Sequence, residues 1–262
     1  MGLDVLILAG GFAKRLRPIS DVMPKPLLHI DGVPLLNHIL GRVLELDYNR
    51  IIVSTNKKFE NSFRYWMRTL KASYEDNVRI FLSVEPTESE EQKLGAIGGL
   101  LYTIRLFNID MSGNDLLVIL GDNLFDFDLK EFVSYSARLS HVVIGAYDVG
   151  DAELAKRYGV VVVDESGRAA FFIEKPEKPP STLVSVGIYY IPNKLIDKIE
   201  EFLKLQKYKD AVGKFFEWLS QNTDVYVYKF TGYWFDIGTP ESYLEANKWA
   251  VERNLGRRWQ WP

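Results

Sequence analysis

The chain of 262 residues has no cysteine, which excludes disulfides, thiolate metal sites and cysteine nucleophiles. Histidine is almost as scarce, with His29, His38 and His141 as the full set, so the metals that suit this chain are oxygen-ligated ones. An excess of one charge is also missing. With 32 Lys and Arg against 35 Asp and Glu, the formal net charge is -3, too little cation to coat a nucleic-acid backbone. An anionic partner must therefore meet a local basic cluster, which suits small polyanions. Long apolar runs are absent too: the stretch 5–9 is short and lacks a basic region before it, and nothing approaches the roughly 20 apolar residues of a membrane helix. Position 6 is Leu where a myristoylation motif beginning at Gly2 requires Ser or Thr. The expectation is a cytoplasmic protein with neither a membrane nor a nucleic-acid partner. Internal repeats and low-complexity linkers are also lacking.

What remains is ordinary globular material, 47% hydrophobic and 26% charged, enough for a substantial core. Short aliphatic runs at 5–9, 51–55, 78–84, 116–120 and 141–147 alternate with amphipathic stretches at 34–46, 59–70, 95–107 and 128–139. This βαβ rhythm predicts an α/β fold, a Rossmann-like and mostly parallel sheet with helices on both faces. After about residue 150 the spacing tightens. Strand patterns at 159–163, 169–173 and 183–191, divided by Asp164-Glu165-Ser166-Gly167 and a Pro-rich 176–180, predict a smaller, partly antiparallel lobe. Helices at 193–205 and 211–221, strands at 225–230 and 233–237, and a helix at 240–253 complete the reading. The expected organisation is one domain over 1–262: a nucleotide-binding core at 1–150, a lobe at 151–238, and a helix and tail at 239–262.

The first strand ends in Leu8-Ala9-Gly10-Gly11, and Lys14, Arg15, Arg17 and Lys25 follow with only Asp21 opposing them. Paired glycines bring backbone N–H groups close to a ligand, and the cations neutralise it, so the loop reads as a polyphosphate cradle. A solvated basic loop is the plainer alternative. The spacing is neither G-x-x-x-x-G-K-[ST] nor G-x-G-x-x-G. Further on, the apolar run 116–120 ends at Gly121-Asp122-Asn123, placing Asp122 at the carboxyl edge of the sheet, where α/β proteins bind ligands. Asp236, in Trp234-Phe235-Asp236-Ile237-Gly238-Thr239, ends a strand before the last helix. Two carboxylates plus phosphate oxygens are what Mg²⁺ requires, although either aspartate alone is also a common turn former or helix cap.

The run Leu8-Ala9-Gly10-Gly11 with Arg15-Leu16 and Pro18, followed by Pro24-Lys25-Pro26-Leu27, resembles the signature of the sugar-1-phosphate nucleotidyltransferase family. Matching segments run from Val5 to about Glu245. The resemblance implies a nucleoside triphosphate and a hexose 1-phosphate as partners, Mg²⁺ as cofactor, and a homo-oligomer. It further implies that Arg15 and Lys25 are catalytic, that Leu8, Ala9, Gly10, Gly11, Lys14 and Arg15 hold the triphosphate, and that Asp122 and Asp236 hold the metal. Arg157-Tyr158-Gly159, Glu174-Lys175-Pro176 and Ser185-Val186-Gly187 are similar to the family's sugar-phosphate segments, implicating Tyr158, Gly159, Glu174, Lys175 and Gly187.

Two departures from the family pattern are visible. Ala13 and Lys14 stand where Gly and Thr are usual, and because Ala takes positive φ at a cost, position 13 is expected to keep an ordinary backbone conformation. The base-reading segment, Val84-Glu85-Pro86 with Leu94-Gly95-Ala96-Ile97-Gly98, has L-G-A-I-G for the usual L-G-T-A-G. Glu85 and Gly95 are assigned to the base. A carboxylate accepts the adjacent N–H donors of guanine better than the donor–acceptor pair of uracil or thymine; equally, Glu85 can simply open a solvated acidic run with Glu88, Glu90 and Glu91.

The reaction so implied is in-line attack of an already ionised sugar phosphate on the α-phosphorus, which needs no general base and no covalent intermediate. Glucose or mannose 1-phosphate is the expected sugar. A non-catalytic sensor of the same fold is the alternative that Ala13 and Lys14 suggest. A glycosyltransferase using Asp126-Phe127-Asp128 is another, and a dehydrogenase is the least supported.

Overall fold

A computed structural model of the chain describes residues 2–74, 78–205 and 211–258; of the C-terminal helix and tail expected at 239–262, the last four residues lie outside the described residues. In the first half, β1 (Leu3–Leu8) leads through a loop with the short α1 (Ile19–Val22) to a hairpin, β2 (His29–Ile30) and β3 (Val33–Pro34), and to α2 (Leu35–Val43). Then follow β4 (Arg50–Asn56), α3 (Glu60–Tyr74), β5 (Ile80–Glu85), α4 (Ala96–Leu106), β6 (Asp115–Leu120), β7 (Asn123–Phe125) and α5 (Leu129–Leu139). The second half holds β8 (Val142–Asp148), α6 (Ala152–Ala155), β9 (Gly159–Val163), β10 (Ala169–Glu174), β11 (Leu183–Ile191), α7 (Asp197–Leu205), α8 (Val212–Asn222), β12 (Val225–Lys229), β13 (Trp234–Asp236), α9 (Pro240–Glu252) and α10 (Leu255–Arg258).

A nine-stranded sheet runs in the order β10-β9-β11-β6-β1-β4-β5, with β8 beside β11 and β12 beside β8. Strands β5, β4, β1 and β6 are parallel. Their sequences are apolar on both sides because both faces of a parallel sheet are covered. One face packs Leu36, Ile39 and Leu40 of α2, Phe63 and Trp66 of α3 and Phe132 of α5; the other packs Ile97 and Leu100 of α4, Phe202 of α7 and Phe215 of α8. Each such side chain contributes roughly 1.5–3 kcal/mol on full burial. Strands β8, β9, β10 and β11 pair antiparallel, as their spacing predicts, while β12 joins β8 in parallel. They extend the central sheet because β11, nine residues long, reaches β6, β8 and β9 together.

Helix starts follow local chemistry. Asp128 accepts the Glu131 N–H at 2.9 Å, and Thr239 exchanges side-chain bonds with Ser242 while Pro240 opens α9, a capping box with Pro at its favoured first position. The end of the described chain then folds back: Ala246, Ala250 and Leu255 pack with Ile30, Leu35, Leu124 and Ile237. Asn247 Oδ1 accepts the Asp31 N–H at 2.8 Å, and the Gly256 N–H donates to Asp31 Oδ2 at 2.8 Å. No helix among the described residues is long and apolar enough to cross a membrane.

Strand order reverses between β1 and β6. The chain leaves β1 toward β4 and β5 and returns on its other side at β6, so the carboxyl ends of β1 and β6 bound the crevice where α/β sheets bind ligands. Leu8 lies opposite Leu120, which brings Gly10 and Asp122 out at one edge.

Candidate active site

The crevice opens into a cleft of about 730 Å³, and every residue that the family resemblance assigns to the site lines it. Leu8, Ala9, Gly10, Gly11, Lys14 and Arg15 form one wall. The Ala9 N–H donates to the Ser54 carbonyl and the Asn56 amide to the Gly10 carbonyl, each at 2.8 Å, fixing the path out of β1. Ala13 departs from the expected ordinary conformation: its φ is 45° and its ψ 47°, left-handed. The Ser20 hydroxyl and the Leu16 N–H both donate to its carbonyl, at 2.8 and 2.9 Å. These bonds, and the buried anchor Leu16, offset a left-handed penalty of roughly 1–2 kcal/mol.

Across the crevice, Lys25 Nζ lies 2.9 Å from Asp122 Oδ2. The other oxygen of Asp122 accepts from the Asn123 amide at 3.0 Å, and Asn123 Oδ1 accepts the Trp234 indole N–H at 2.8 Å. Strands β7 and β13 pair so that Asp236 stands opposite Asn123, while the Ile237 N–H donates to the Asp122 carbonyl at 2.9 Å. The two aspartates, 114 positions apart, thus meet at the end of a two-stranded ladder, Asp122 just before the Asn123 that faces Asp236. Burial, and then the charge of Asp122, raise the Asp236 carboxyl above its usual range; Lys25 and Arg15 oppose this. Arg15 comes close at Gly238, where a Cβ would sit 3.1 Å from Asp236 Oδ2 and 3.5 Å from Arg15 Nη2. Among the described residues no group of three or more acidic or imidazole side chains is poised to hold a metal. The Asp122–Asp236 pair is the donor set present, and two hard carboxylates that resist sharing a site suit a cation completed by phosphate oxygens.

The opposite wall comes from the antiparallel strands. Tyr158 packs edge-on against Trp234 at 4.9 Å, and its hydroxyl is pushed up to about 12 by burial and by Asp236. The Lys175 N–H donates to the Tyr158 carbonyl at 3.0 Å, and Lys175 Nζ lies 3.4 Å from Glu174 Oε1. Gly159 opens β9 opposite Glu174. Gly187, at φ 75°, sits in the bulge where β11 crosses from β8 pairing at Ser185 to pairing at Tyr189; a Cβ there would meet Leu120 at 2.7 Å.

The first turn of α8 also lines this wall, and sequence reasoning misses it. A Cβ on Gly213 would fall 1.7 Å from Glu174 Oε2, and one turn on, Glu217 Oε2 accepts the Glu174 N–H at 3.0 Å. The available signal is a glycine inside a helix, where it is unfavourable by about 1 kcal/mol against alanine.

At the far end of the nucleotide wall Glu85 is buried, 8% exposed, whereas Glu88 and Glu91 are exposed. The acidic-run reading therefore does not describe it. Burial pushes its carboxyl up to about 7, against a Ser54 hydrogen bond of 3.3 Å to Oε1. Gly95 precedes α4 nearby. Asp126 instead accepts the Tyr233 N–H at 2.8 Å and Asp128 caps α5; neither lines the cleft, so the Asp-x-Asp alternative has no site.

The sequence pattern that defines the nucleotidyl transferases matches residues 4–253. The chain belongs to the sugar-1-phosphate nucleotidyltransferase family. Within that family, it is 29% identical over 251 residues to the bifunctional protein GlmU of Methanocaldococcus jannaschii, covering 96% of this chain and 55% of that one. It is 28% identical over 248 residues to the mannose-1-phosphate guanylyltransferase of Mycobacterium tuberculosis, covering 94% and 64%. The chain thus spans 55% and 64% of the length of these two relatives. A UDP-glucose pyrophosphorylase solved with UDP-glucose superposes with a TM-score of 0.80 at 21% identity, covering 97% of this chain and all of the other, a likeness of fold.

Proposed function

We propose that this sugar-1-phosphate nucleotidyltransferase catalyses the transfer itself, converting a nucleoside triphosphate and a hexose 1-phosphate, glucose or mannose 1-phosphate, into a nucleoside diphosphate sugar and pyrophosphate. The observation that carries this reading is that one cleft holds Arg15, Lys25, Asp122 and Asp236 on one side and Glu174 and Lys175 on the other. A cytoplasmic setting accords with such substrates.

A phosphate oxygen of the sugar substrate attacks the α-phosphorus in line. A P–O bond forms to it as the bond to the β-phosphate's bridging oxygen breaks, and pyrophosphate leaves with that electron pair. Arg15 and Lys25 stabilise the charge that builds on the triphosphate, and removal of one such donor typically lowers turnover by about 10²–10³. Lys175 orients the sugar phosphate and the Glu174 carboxylate accepts from sugar hydroxyls. Mg²⁺, when held by Asp122 and Asp236, supplies further neutralisation of the phosphates. The Lys25 ammonium, 2.9 Å from Asp122 Oδ2, stands at the same edge as the metal-binding carboxylates of this reading.

The sensor reading draws on the unusual Ala13 and Lys14, but a cleft that retains both aspartates and both cations favours turnover. The test is pyrophosphate release with Mg²⁺ across GTP, ATP, CTP, UTP and dTTP, each paired with glucose, mannose, galactose and N-acetylglucosamine 1-phosphates. Release from particular pairs that drops by at least about 10²-fold in Asp122→Asn is expected. Nucleotide binding without release from any pair would favour the sensor.

A further inference from the structure

The segment that follows the triphosphate loop buries the wrong kind of side chain. Of residues 17–23, Ser20 alone is buried, at 1% exposure, while Ile19, Val22 and Met23 turn toward solvent, Val22 at 79%. Helix α1 therefore gains little from apolar burial, which is what ordinarily holds so short a helix in place. What it puts inside is a hydroxyl, whose burial is unfavourable unless it is hydrogen-bonded. That hydroxyl donates to the Ala13 carbonyl at 2.8 Å, seven positions back in the chain.

Ala13 is the residue whose conformation needs such a partner. Its φ of 45° and ψ of 47° are left-handed, a region that alanine leaves unless its surroundings hold it there. A single 3₁₀ turn, Lys14–Leu16, starts directly after it, so the rotation at position 13 fixes the direction in which Lys14 and Arg15 leave the loop. Ala13, Lys14 and Arg15 all line the cleft, and Arg15 reaches across it to come near Gly238 beside Asp236. The Leu16 N–H also donates to the Ala13 carbonyl, at 2.9 Å, but that bond closes the turn from within, whereas Ser20 ties it to the next element.

We propose, resting on the transfer reaction above, that Ser20 is a positioning residue for the triphosphate loop: its hydroxyl holds Ala13 left-handed and so keeps Lys14 and Arg15 aimed into the cleft. Ser20 does not itself line the cleft, so it acts through Ala13 and touches no substrate. The dependence belongs to alanine at position 13. Glycine takes the left-handed region about as readily as the right-handed one, so the glycine usual there in the family keeps the turn without the tie. Without the hydroxyl, the loop of this chain is competent for only a fraction of the time, and its apparent affinity for a triphosphate falls by that fraction. The sugar wall, built on β9, β10 and β11, is untouched.

The experiment compares the native chain, Ser20→Ala, Ala13→Gly and the double variant. It reads calorimetric Kd values for GTP, ATP, CTP, UTP and dTTP, and KM values in pyrophosphate release, the sugar 1-phosphate being varied at saturating triphosphate. Ser20→Ala should raise Kd and KM for the triphosphate about tenfold, the upper range of what one net hydrogen bond supplies, with KM for the sugar 1-phosphate unchanged. In the double variant glycine needs no tie, so the triphosphate constants should lie within about twofold of those of Ala13→Gly. Unchanged triphosphate constants in Ser20→Ala, a parallel rise in KM for the sugar 1-phosphate, or a double variant as weak as Ser20→Ala overturns the proposal. If Ser20→Ala alone does not fold, the double variant decides: folded with the constants of Ala13→Gly it upholds the tie, and unfolded or weakened it refutes it. Binding that weakens and recovers in this way while no pyrophosphate appears from any chain would refute the transfer reaction and leave the positioning role standing.

Discussion

Replacing Glu85 by Gln should stabilise the unliganded protein at alkaline pH and not at acid pH. An ordinary glutamate ionises near 4.5, whereas Glu85 does so near 7 in the fold, so ionising it costs the folded state about 3 kcal/mol above pH 7. The folded pKa is the raised one, so the folded state binds the extra proton. No difference exists well below 4.5, the cost grows as pH climbs from 4.5 to 7, and it is constant above. Between pH 5 and pH 8 the native chain should lose about 2.5 kcal/mol through this group alone. Glutamine keeps the shape and still accepts from Ser54, but leaves a buried amide N–H₂ short of partners, at about 1–2 kcal/mol independent of pH. Urea unfolding of both chains at pH 5 and pH 8 isolates the effect as a difference of differences. The variant should gain about 2.5 kcal/mol on the native chain between the two pH values, passing from less stable, or level, to more stable. A stability gap that is the same at both pH values would refute the placement of Glu85 as a desolvated acid.

Gly213→Ala should raise KM for the sugar 1-phosphate about tenfold, equivalent to about 1.4 kcal/mol, while KM for the nucleotide holds, because the new Cβ displaces the Glu174 carboxylate. Helix propensity alone favours the alanine by up to about 1 kcal/mol, so a parallel rise in both KM values with a fall in stability would contradict that assignment. Ala13→Gly should leave the loop in place and move the urea midpoint upward. Release from the left-handed conformation gains about 1–2 kcal/mol, and the freedom of glycine in the unfolded chain takes back about 0.5–1. A lower midpoint would mean that the alanine methyl makes contacts that outweigh its strain.

The sheet and the phosphate wall were legible because each depends on a short stretch of sequence. The run Leu116 to Leu120 is apolar on both faces only because it becomes a doubly covered strand, and Gly10, Gly11, Arg15 and Lys25 are spaced by the loop that carries them. Three features depended on contacts that local pattern does not carry. Ala13 takes its left-handed turn because a hydroxyl seven residues later bonds its carbonyl. Glu85 leaves the acidic run that it opens because Gly99 on another element makes space for it. Gly213 is shaped by Glu174, 39 positions earlier, across a contact between β10 and α8. Similarly, the pairing of one lobe with the other rests on the length of β11, and no strand pattern viewed alone reveals which neighbours a long strand will reach.

The fold-back of α9 and α10 onto Asp31 sets the order in which this protein becomes able to grip its ligand during synthesis. The loop after β1 and Lys25 leave the ribosome well before Asp236, the Thr239 cap and the helix that clamps the β2–β3 hairpin. Until residue 256 has folded back, Ile30, Leu35 and Leu124 present an open apolar face beside the phosphate loop, the kind of surface through which incomplete chains associate wrongly. At a hundred times its dissociation constant, a nucleotide bound as in the proposed reaction would add about 2.7 kcal/mol to the completed fold, and so would hold that face closed.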